Sequence, residues 1–266
     1  MAIAQVQDEL GATIGAYWDN RAQTYSNGIQ NELVGYGRCA WQRALAHAIE
    51  DTHAAAARER RTMRALDLGC GPGFFSILLA DEGCAVDAVD MSSQMLERAR
   101  ANAAQAVPGA NIAFHQCDAA DLPFASDSFD VAVSRNLTWL MRDPEGAYAE
   151  WLRVLRPGGK LLVFDANWYR YLVDDDVDAA RRSDQANAQV YNKDTRATDD
   201  EERRCELIAA ELPLTSVMRP QWDIQVLERL GATHVSVNEQ AWRDLWTSEE
   251  QAYYGSSPLF MIEARK

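Results

Sequence analysis

A short apolar run followed by three alternating glycines constrains the fold of this chain more than any other feature. Residues 65–68 (Ala-Leu-Asp-Leu) have the character of a buried parallel strand. Gly69, Gly71 and Gly73 follow, and a helix-like pattern begins at Phe74. Glycines let the backbone turn sharply and let a ligand approach the main chain, and the helix start behind them offers unpaired N–H groups. The stretch predicts a ligand-binding strand–loop–helix unit; the alternative is a corner in which the glycines only shape the turn.

The spacing of these glycines distinguishes the loop from a dinucleotide-binding loop. A dinucleotide loop has the pattern G-x-G-x-x-G, whereas this one has G-x-G-x-G and is preceded by Asp67. A second apolar stretch, residues 85–89, ends in Asp90, and an acid at the end of the second strand suits the two hydroxyls of a ribose. Together, the Asp67 loop and Asp90 resemble the S-adenosylmethionine site of class I methyltransferases.

Two longer segments carry the same resemblance. From Arg64 onward, strand and helix patterns alternate as in a doubly wound parallel sheet. Residues 122–131 (LPFASDSFDV) and 150–163 (EWLRVLRPGGKLLV) resemble specific segments of the methyltransferase group that includes quinone-biosynthesis C-methyltransferases and many small-molecule enzymes. In the second segment, we expect a helix to end before Pro157 and a Pro-Gly-Gly turn to lead into the fifth strand.

The resemblance covers residues 63–166 and implies a fold of the α/β class. We expect a doubly wound, mostly parallel seven-stranded sheet, the class I methyltransferase fold, with N-terminal helices and a helical insertion after the fifth strand. Residues 1–62 would form a helical cap, and residues 63–166 and 220–266 the Rossmann-like core that binds S-adenosylmethionine. Residues 167–219 have more acidic than basic side chains, with scattered apolar ones, which predicts exposed helices. We expect these to form a lid on the substrate side; an oligomerisation arm is the alternative.

The resemblance also implies a set of donor-binding residues. Asp118, after the third strand, would accept a hydrogen bond from the adenine amine, and Asn136, after the fourth, would line the donor methyl. Residues 17–25 resemble the W-D-x-x-A-x-x-Y segment at the front of these enzymes, where the tyrosine approaches the methionine portion; the alternative is an amphipathic helix that simply packs. The cofactor-binding residues implied are Tyr25, Asp67, Gly69, Cys70, Gly71, Gly73, Asp90, Met91, Asp118, Ala119 and Asn136.

The composition limits the class of substrate and the location. Of the 266 residues, 47% are hydrophobic, which suffices for a large core, and the formal charge of −14 argues against a nucleic-acid substrate. The five cysteines are scattered and contain no C-x-x-C pair, which favours a reducing compartment and no metal site. With no secretory signal or apolar run long enough to span a bilayer, we expect a cytoplasmic protein, monomeric or homodimeric.

The chemistry expected is methyl transfer from S-adenosyl-L-methionine, leaving S-adenosyl-L-homocysteine. In this in-line displacement the protein mainly positions donor and acceptor and excludes water, and the sequence names no general base. Asn167 and Tyr169, just past the fifth strand, are the candidate acceptor contacts, and an aromatic wall is expected from Trp139, Trp168 and Tyr171. Near a strand end, however, aromatic side chains are more often plain core.

The sequence thus predicts an S-adenosylmethionine-dependent methyltransferase (EC 2.1.1 type) that acts on a small molecule. Three alternatives remain: a catalytically idle cofactor-binding partner protein, an aminopropyltransferase, and a nicotinamide oxidoreductase. The glycine spacing disfavours the oxidoreductase, and the acids with which aminopropyltransferases hold a polyamine have no matching segment. The acceptor and the atom that is methylated are left open.

Overall fold

The structure, a computed structural model, describes residues 2–188 and 197–266, apart from the side chains of residues 2–8 and 36. The strands are β1 Arg64–Leu68, β2 Ala85–Asp90, β3 Ile112–Gln116, β4 Phe129–Arg135, β5 Leu155–Asp165, β6 Thr233–Asn238 and β7 Phe260–Arg265. The helices are α1 Ala2–Val34, α2 Tyr36–Arg58, α3 Phe74–Asp81, α4 Ser93–Ala106, α5 Pro144–Val154, α6 Asp175–Asn187, α7 Asp199–Ala210, α8 Gln221–Arg229, α9 Ala241–Leu245 and α10 Ser248–Tyr253.

These strands form one sheet in the order β3-β2-β1-β4-β5-β7-β6. Strands β1 to β5 run parallel, and β7 runs antiparallel between β5 and β6. The strand order changes direction between β1 and β4, and in such a sheet the carboxyl ends of the two strands flank a crevice. The predicted fold class is confirmed: a doubly wound, mostly parallel seven-stranded sheet with an antiparallel edge.

The core lies on both faces of the sheet because successive strand residues point in opposite directions. Leu66 and Leu161 pack on the face covered by α5, α7 and α8, whereas Ala65 and Leu162 pack on the face covered by α2, α3 and α9. The parallel strands therefore read as nearly continuous apolar runs, as expected for strands that are covered on both sides.

Two long helices precede the sheet, as the sequence predicts for this region. Helix α1 packs against α2, α4 and α7, and α2 packs against α3, α9 and the strands β4 and β5. The 33-residue α1 therefore reaches from the second helix to the insertion, across the crevice side of the sheet. None of the helices in the described ranges combines the length and the apolar character of a bilayer-spanning segment.

One predicted boundary is wrong, at residues 157–159. Strand β5 begins before this Pro-Gly-Gly stretch, at Leu155, which pairs with Phe129, and the register shifts beyond that pair. Gly158 has φ 76°, and its N–H donates to the carbonyl of Lys266 at 2.9 Å. The backbone of Lys266 hydrogen-bonds to both glycines, so the stretch stays within the strand. The glycines therefore form an irregularity of the strand and not a separate turn.

The insertion after β5 is helical in its described part, and residues 189–196 lie outside the described residues. Helix α6 has no buried residue, which agrees with the predicted exposed helix. Helix α7 instead buries Cys205, Ile208 and Ala209 in the main core. The short helices α9 and α10 between β6 and β7 were not predicted, although Thr247 and Glu250 have the spacing of a capping box at the start of α10.

Candidate functional site

Two adjoining cavities lie at the carboxyl ends of β1, β2 and β4. The glycine-loop cavity is lined by residues that include Gly69, Gly71, Asp90, Met91, Met95, Asp118, Ala119, Leu140 and Met141. The aromatic chamber, of about 550 Å³, is lined by residues that include Tyr17, Arg21, Glu32, Trp139, Trp168, Tyr169, Tyr171, Arg181, Cys205, Trp246, Glu250, Tyr253 and Tyr254. Four residues line both cavities: Trp18, Tyr25, Arg135 and Asn136. The two spaces therefore meet at one junction.

The glycine loop forms the floor of the first cavity. Gly69, Gly71 and Gly73 have φ values of 60°, 51° and 89°, in the left-handed region that favours glycine. A Cβ atom on Gly69 would lie 2.6 Å from Leu137 Cδ1, whereas one on Gly71 would meet only Tyr25, at 3.8 Å. Gly69 is thus required by packing, and Gly71 presents bare backbone to the cavity.

Asp90 stands at the end of β2, against this loop. Its Oδ2 accepts a hydrogen bond from the N–H of Gly71 and its Oδ1 accepts one from the N–H of Ser92, both at 2.8 Å. Desolvation raises the pKa of Asp90 to about 6, although these two hydrogen bonds act to lower it. Each carboxylate oxygen has a further lone pair, so the group has capacity to accept hydrogen bonds from two hydroxyls in the cavity.

Three of the expected cofactor residues support the loop and do not line either cavity in the part of the chain that is described. Asp67 is buried and its Oδ2 accepts from Ser76 Oγ at 2.6 Å; burial raises the pKa of Asp67 to about 7. The buried Cys70 has a thiol with a raised pKa, mainly because of burial. Gly73 is the N-cap of α3 and packs closely on Ala99.

Asp118 and Ala119 follow β3 and line the glycine-loop cavity, as the resemblance implies. Asp118 Oδ1 accepts from the N–H of Ala120 at 2.9 Å, and its Oδ2 lies 2.5 Å from Arg142 Nη2. Nothing in the sequence near Arg142 indicates this ion pair. It fixes the orientation of the carboxylate at the cavity wall.

Asn136 marks the junction of the two cavities. Its φ of 56° is left-handed, and its N–H donates to the carbonyl of Phe164 at 2.8 Å. Trp139 Nε1 donates to its carbonyl at 2.9 Å. Its side-chain Oδ1 is buried and has no hydrogen-bond partner among the described residues. A strained backbone and an unpaired buried acceptor are features that concentrate at binding sites.

Helix α1 closes both cavities from the other side. Tyr17, Arg21 and Tyr25 all line the aromatic chamber, as their four-residue spacing predicts. Asp19 attaches the helix to the region after β2, because its Oδ1 accepts from Ser92 Oγ at 2.6 Å and from the N–H of Gln94 at 3.2 Å. The aspartate of the W-D segment therefore holds α1 beside Asp90.

Arg135 gives α1 a second attachment that the sequence does not reveal. Its two Nη atoms donate to Glu32 Oε1 and Oε2 at 2.9 and 3.0 Å. The guanidinium also lies over the rings of Trp41 and Phe74, 4.3 and 4.7 Å from their centroids. Since Glu32 and Arg135 are 103 positions apart, only the folded chain brings them together.

The predicted aromatic wall is present, since Trp139, Trp168 and Tyr171 all line the chamber. Asp165, at the end of β5, orients two of them: Trp168 Nε1 donates to its Oδ1 at 3.0 Å, and the N–H of Trp139 donates to its Oδ2 at 3.1 Å. Buried Arg219 donates to the same Oδ2 at 2.7 Å. The wall is therefore held by a buried ion pair.

The two candidate acceptor contacts differ in position. Tyr169 lines the chamber, and its hydroxyl donates to Cys205 Sγ at 2.9 Å. Asn167 lies outside the described lining; its Nδ2 donates to the carbonyl of Arg219 at 2.8 Å, and its Oδ1 accepts from the N–H of Arg219 at 3.1 Å. Asn167 thus secures the return of the insertion to the core. In the described part of the chain, no three His, Cys, Asp or Glu side chains form a group that would hold a metal ion.

Comparison with known proteins places a methyltransferase domain over this site. Residues 66–163 match a family model described as a methyltransferase domain. The chain is 41% identical over 104 residues to the malonyl-(acyl-carrier protein) O-methyltransferase of Enterobacter lignolyticus, a match that covers 38% of each protein. It is 33% identical over 158 residues to the demethylmenaquinone methyltransferase of Renibacterium salmoninarum, covering 59% of this chain and 60% of the relative. The matches thus span less than two thirds of these relatives' length.

Solved structures agree with the fold. Phosphoethanolamine N-methyltransferase 2 of Haemonchus contortus, determined with S-adenosyl-L-methionine, matches with a TM-score of 0.53 at 18% identity, over 77% of this chain and 49% of that one. Geranyl diphosphate C-methyltransferase of Streptomyces coelicolor matches with a TM-score of 0.51 at 15% identity, over 76% of this chain and 69% of that one. The predicted resemblance to methyltransferases is thus confirmed over residues 66–163, and the fold is the class I methyltransferase fold.

Proposed function

We propose that this chain is an S-adenosyl-L-methionine-dependent methyltransferase that methylates a small-molecule acceptor by in-line displacement. The observation that carries the proposal is the junction at Asn136, where a glycine-loop cavity flanked by Asp90 opens into an aromatic chamber. A donor in the first space would meet an acceptor in the second. Methyl transfer needs that arrangement, because the two reacting groups must lie in line.

The residues present fit the proposed donor. Gly71 offers backbone without a side chain, Asp90 has free acceptor capacity for a ribose, and Asp118 lines the same cavity. The buried Trp18 Nε1, which has no hydrogen-bond partner in the described ranges, lines the junction as an unused donor. S-adenosyl-L-methionine would supply a methyl group already activated by its sulfonium, and S-adenosyl-L-homocysteine would be the product.

The protein's own contribution would be positioning and exclusion of water. Asp90, Asp118 and Tyr25 would hold the donor. Helix α1 would cover it, since α1 is attached by the Asp19 hydrogen bond and by the ion pair between Glu32 and Arg135. Desolvation favours a displacement in which charge on the sulfonium is lost. Tyr169 is the remaining candidate for an acceptor contact.

We extend the proposal to the insertion and the location. Residues 167–219 would act as a lid that sets substrate choice, because the insertion leaves β5 beside the junction and contributes Tyr169, Arg181 and Cys205 to the chamber. A cytoplasmic location is proposed from the five cysteines, all of them free thiols.

Calorimetry tests the donor assignment. The protein should bind S-adenosyl-L-methionine and S-adenosyl-L-homocysteine but not NAD. Asp90→Ala should weaken binding by about 1.5–3 kcal/mol for each ribose hydrogen bond that is lost. If Asp90→Ala keeps its fold and its affinity, the role of Asp90 is wrong.

A screen of acceptors, with release of S-adenosyl-L-homocysteine as the readout, tests turnover. An active methyltransferase releases this product only when a suitable acceptor is present. Tight cofactor binding with no turnover across amines, phenols, thiols and carbon acids would favour the idle cofactor-binding partner.

A further inference from the structure

The far wall of the aromatic chamber combines three rings with one carboxylate. Trp168, Trp246 and Tyr254 contact one another, with ring centroids 5.5 to 6.2 Å apart. Glu250 and Tyr254 are four residues apart at α10, a spacing that brings side chains together on a helix, and both line the chamber. Aromatic faces beside a carboxylate attract an organic cation through both the ring quadrupoles and the charge.

Glu250 differs from the other acidic side chains of the chamber because it has no ion-pair partner among the described residues. Arg181 pairs with Glu202 at 3.4 Å, and Arg21 pairs with Glu201 at 3.3 Å. Arg135, the third arginine of the lining, is bound by both oxygens of Glu32. Glu250 is therefore the one acidic side chain of the described lining that forms no ion pair with a described residue.

Glu250 lines the same chamber as Arg135, one of the four residues that line both cavities. Burial lowers the pKa of Arg135, but the charges of Glu32 and, more weakly, Glu250 raise it overall. Among the described residues, Glu250 accepts hydrogen bonds through Oε2 alone, from Thr247 N and Oγ1 at 2.8 and 3.0 Å, which leaves Oε1 for a ligand.

The unpaired acceptor at the junction points to the same chemistry. Asn136 Oδ1 lacks a donor among the described residues, and a bound N–H or O–H would satisfy it. A donor group on the acceptor molecule would therefore be fixed at the point where the two cavities meet.

We propose that the acceptor is an organic amine that binds as a cation, with its charge at Glu250 and its apolar body against Trp168, Trp246 and Tyr254. This inference rests on the proposed function and assigns the substrate class of the same site. The methylated atom would belong to the group of the acceptor molecule that reaches Asn136.

Two matched sets of ligands test this inference by calorimetry on the protein saturated with S-adenosyl-L-homocysteine. One set is tryptamine, tryptophol and indole-3-propionate; the other is phenethylamine, phenethyl alcohol and hydrocinnamate. Within each set the body is shared and only the charge changes. The amines should bind about tenfold more tightly than the alcohols, and the acids should bind most weakly.

The variant Glu250→Gln isolates the charge, because glutamine preserves the capping box that Thr247 and Glu250 form at α10. It should reduce amine affinity to that of the alcohols and leave alcohol binding unchanged. Glu249→Gln, an exposed neighbour on the same helix, should change neither and serves as the control.

The outcomes separate the inference from the proposed function. If S-adenosyl-L-homocysteine itself fails to bind, the proposed function is wrong. If it binds but neither amine does at millimolar concentration, or an alcohol or acid binds as tightly as its amine, the inference alone is overturned. An amine affinity that survives in Glu250→Gln also overturns it.

Discussion

The carboxylate of Asp90 faces the proposed ribose position while two backbone N–H groups hold it in place. Its pKa is raised to about 6, so the carboxyl group becomes protonated as the pH falls through that value. The neutral acid is a weaker acceptor than the carboxylate. We therefore expect the affinity for S-adenosyl-L-homocysteine to fall as the pH is lowered from about 8 to about 5.5.

Calorimetry at several pH values checks this expectation, with Asp90→Asn as the control. The variant should bind more weakly at pH 8 and should lose most of the pH dependence. A wild-type affinity that stays constant over the whole range would show that Asp90 does not titrate against ligand binding.

Helix α1 depends on Asp19 for its attachment beside Asp90. Asp19→Ala removes two hydrogen bonds to a carboxylate, from Ser92 Oγ and Gln94 N, each worth about 1.5–3 kcal/mol. We expect faster hydrogen exchange in α1 and weaker binding of S-adenosyl-L-homocysteine. Gln23→Ala, an exposed change on the same helix, should leave both unchanged. Equal exchange in Asp19→Ala and wild type would remove Asp19 from this role.

The loop between the insertion and α8 depends on Arg219, which is buried between Asp165 and Asp223. Tyr148 also donates to Asp223 Oδ1, at 2.5 Å. Arg219→Met leaves two buried carboxylates without their cation, so the free energy of unfolding should fall by about 3–5 kcal/mol. Urea denaturation measures this fall.

The matched control is Arg229→Met, which breaks an exposed ion pair with Glu145 and should cost only about 0–1 kcal/mol. Similar losses in the two variants would mean that burial of Arg219 adds nothing. Since Asp165 also orients Trp139 and Trp168, Arg219→Met should in addition weaken acceptor binding more than donor binding.

Across the whole molecule, local stability against opening should decrease from the parallel strands to the covering helices. Strands β1, β4 and β5 are almost fully buried, whereas α6 has no buried residue. Hydrogen exchange should be slowest in those strands and fast in α6. Addition of S-adenosyl-L-homocysteine should slow hydrogen exchange in α1, which lines both cavities. Exchange in α6 should stay unchanged until an acceptor is added.

Mass spectrometry of peptides from α1 and α6 measures these rates. If the cofactor leaves α1 unchanged, helix α1 packs without closing over the donor. If donor and acceptor together still leave α6 unchanged, the lid proposal loses its support, and an oligomerisation arm becomes the better interpretation of the insertion.

Local sequence determined the floor of the glycine-loop cavity. Gly69, Gly71 and Asp90 lie at the ends of adjacent parallel strands, and the backbone that they require follows from residues next to them in the chain. The position of Asp118 after β3 follows in the same way, but its ion pair with Arg142 does not. Such features are predictable because turn chemistry and strand periodicity act over a few residues.

Only the tertiary structure decided the aromatic chamber and the attachment of α1. Arg135 meets Glu32, and Trp168 meets Trp246, across long stretches of chain with no local signal. Asn167 lies outside the described lining of the cavities because its side chain is hydrogen-bonded to the backbone of Arg219, which is 52 positions away. Ion pairs and ring contacts between distant segments depend on how the helices pack on the sheet. A local sequence pattern does not show which distant residues this packing brings into contact.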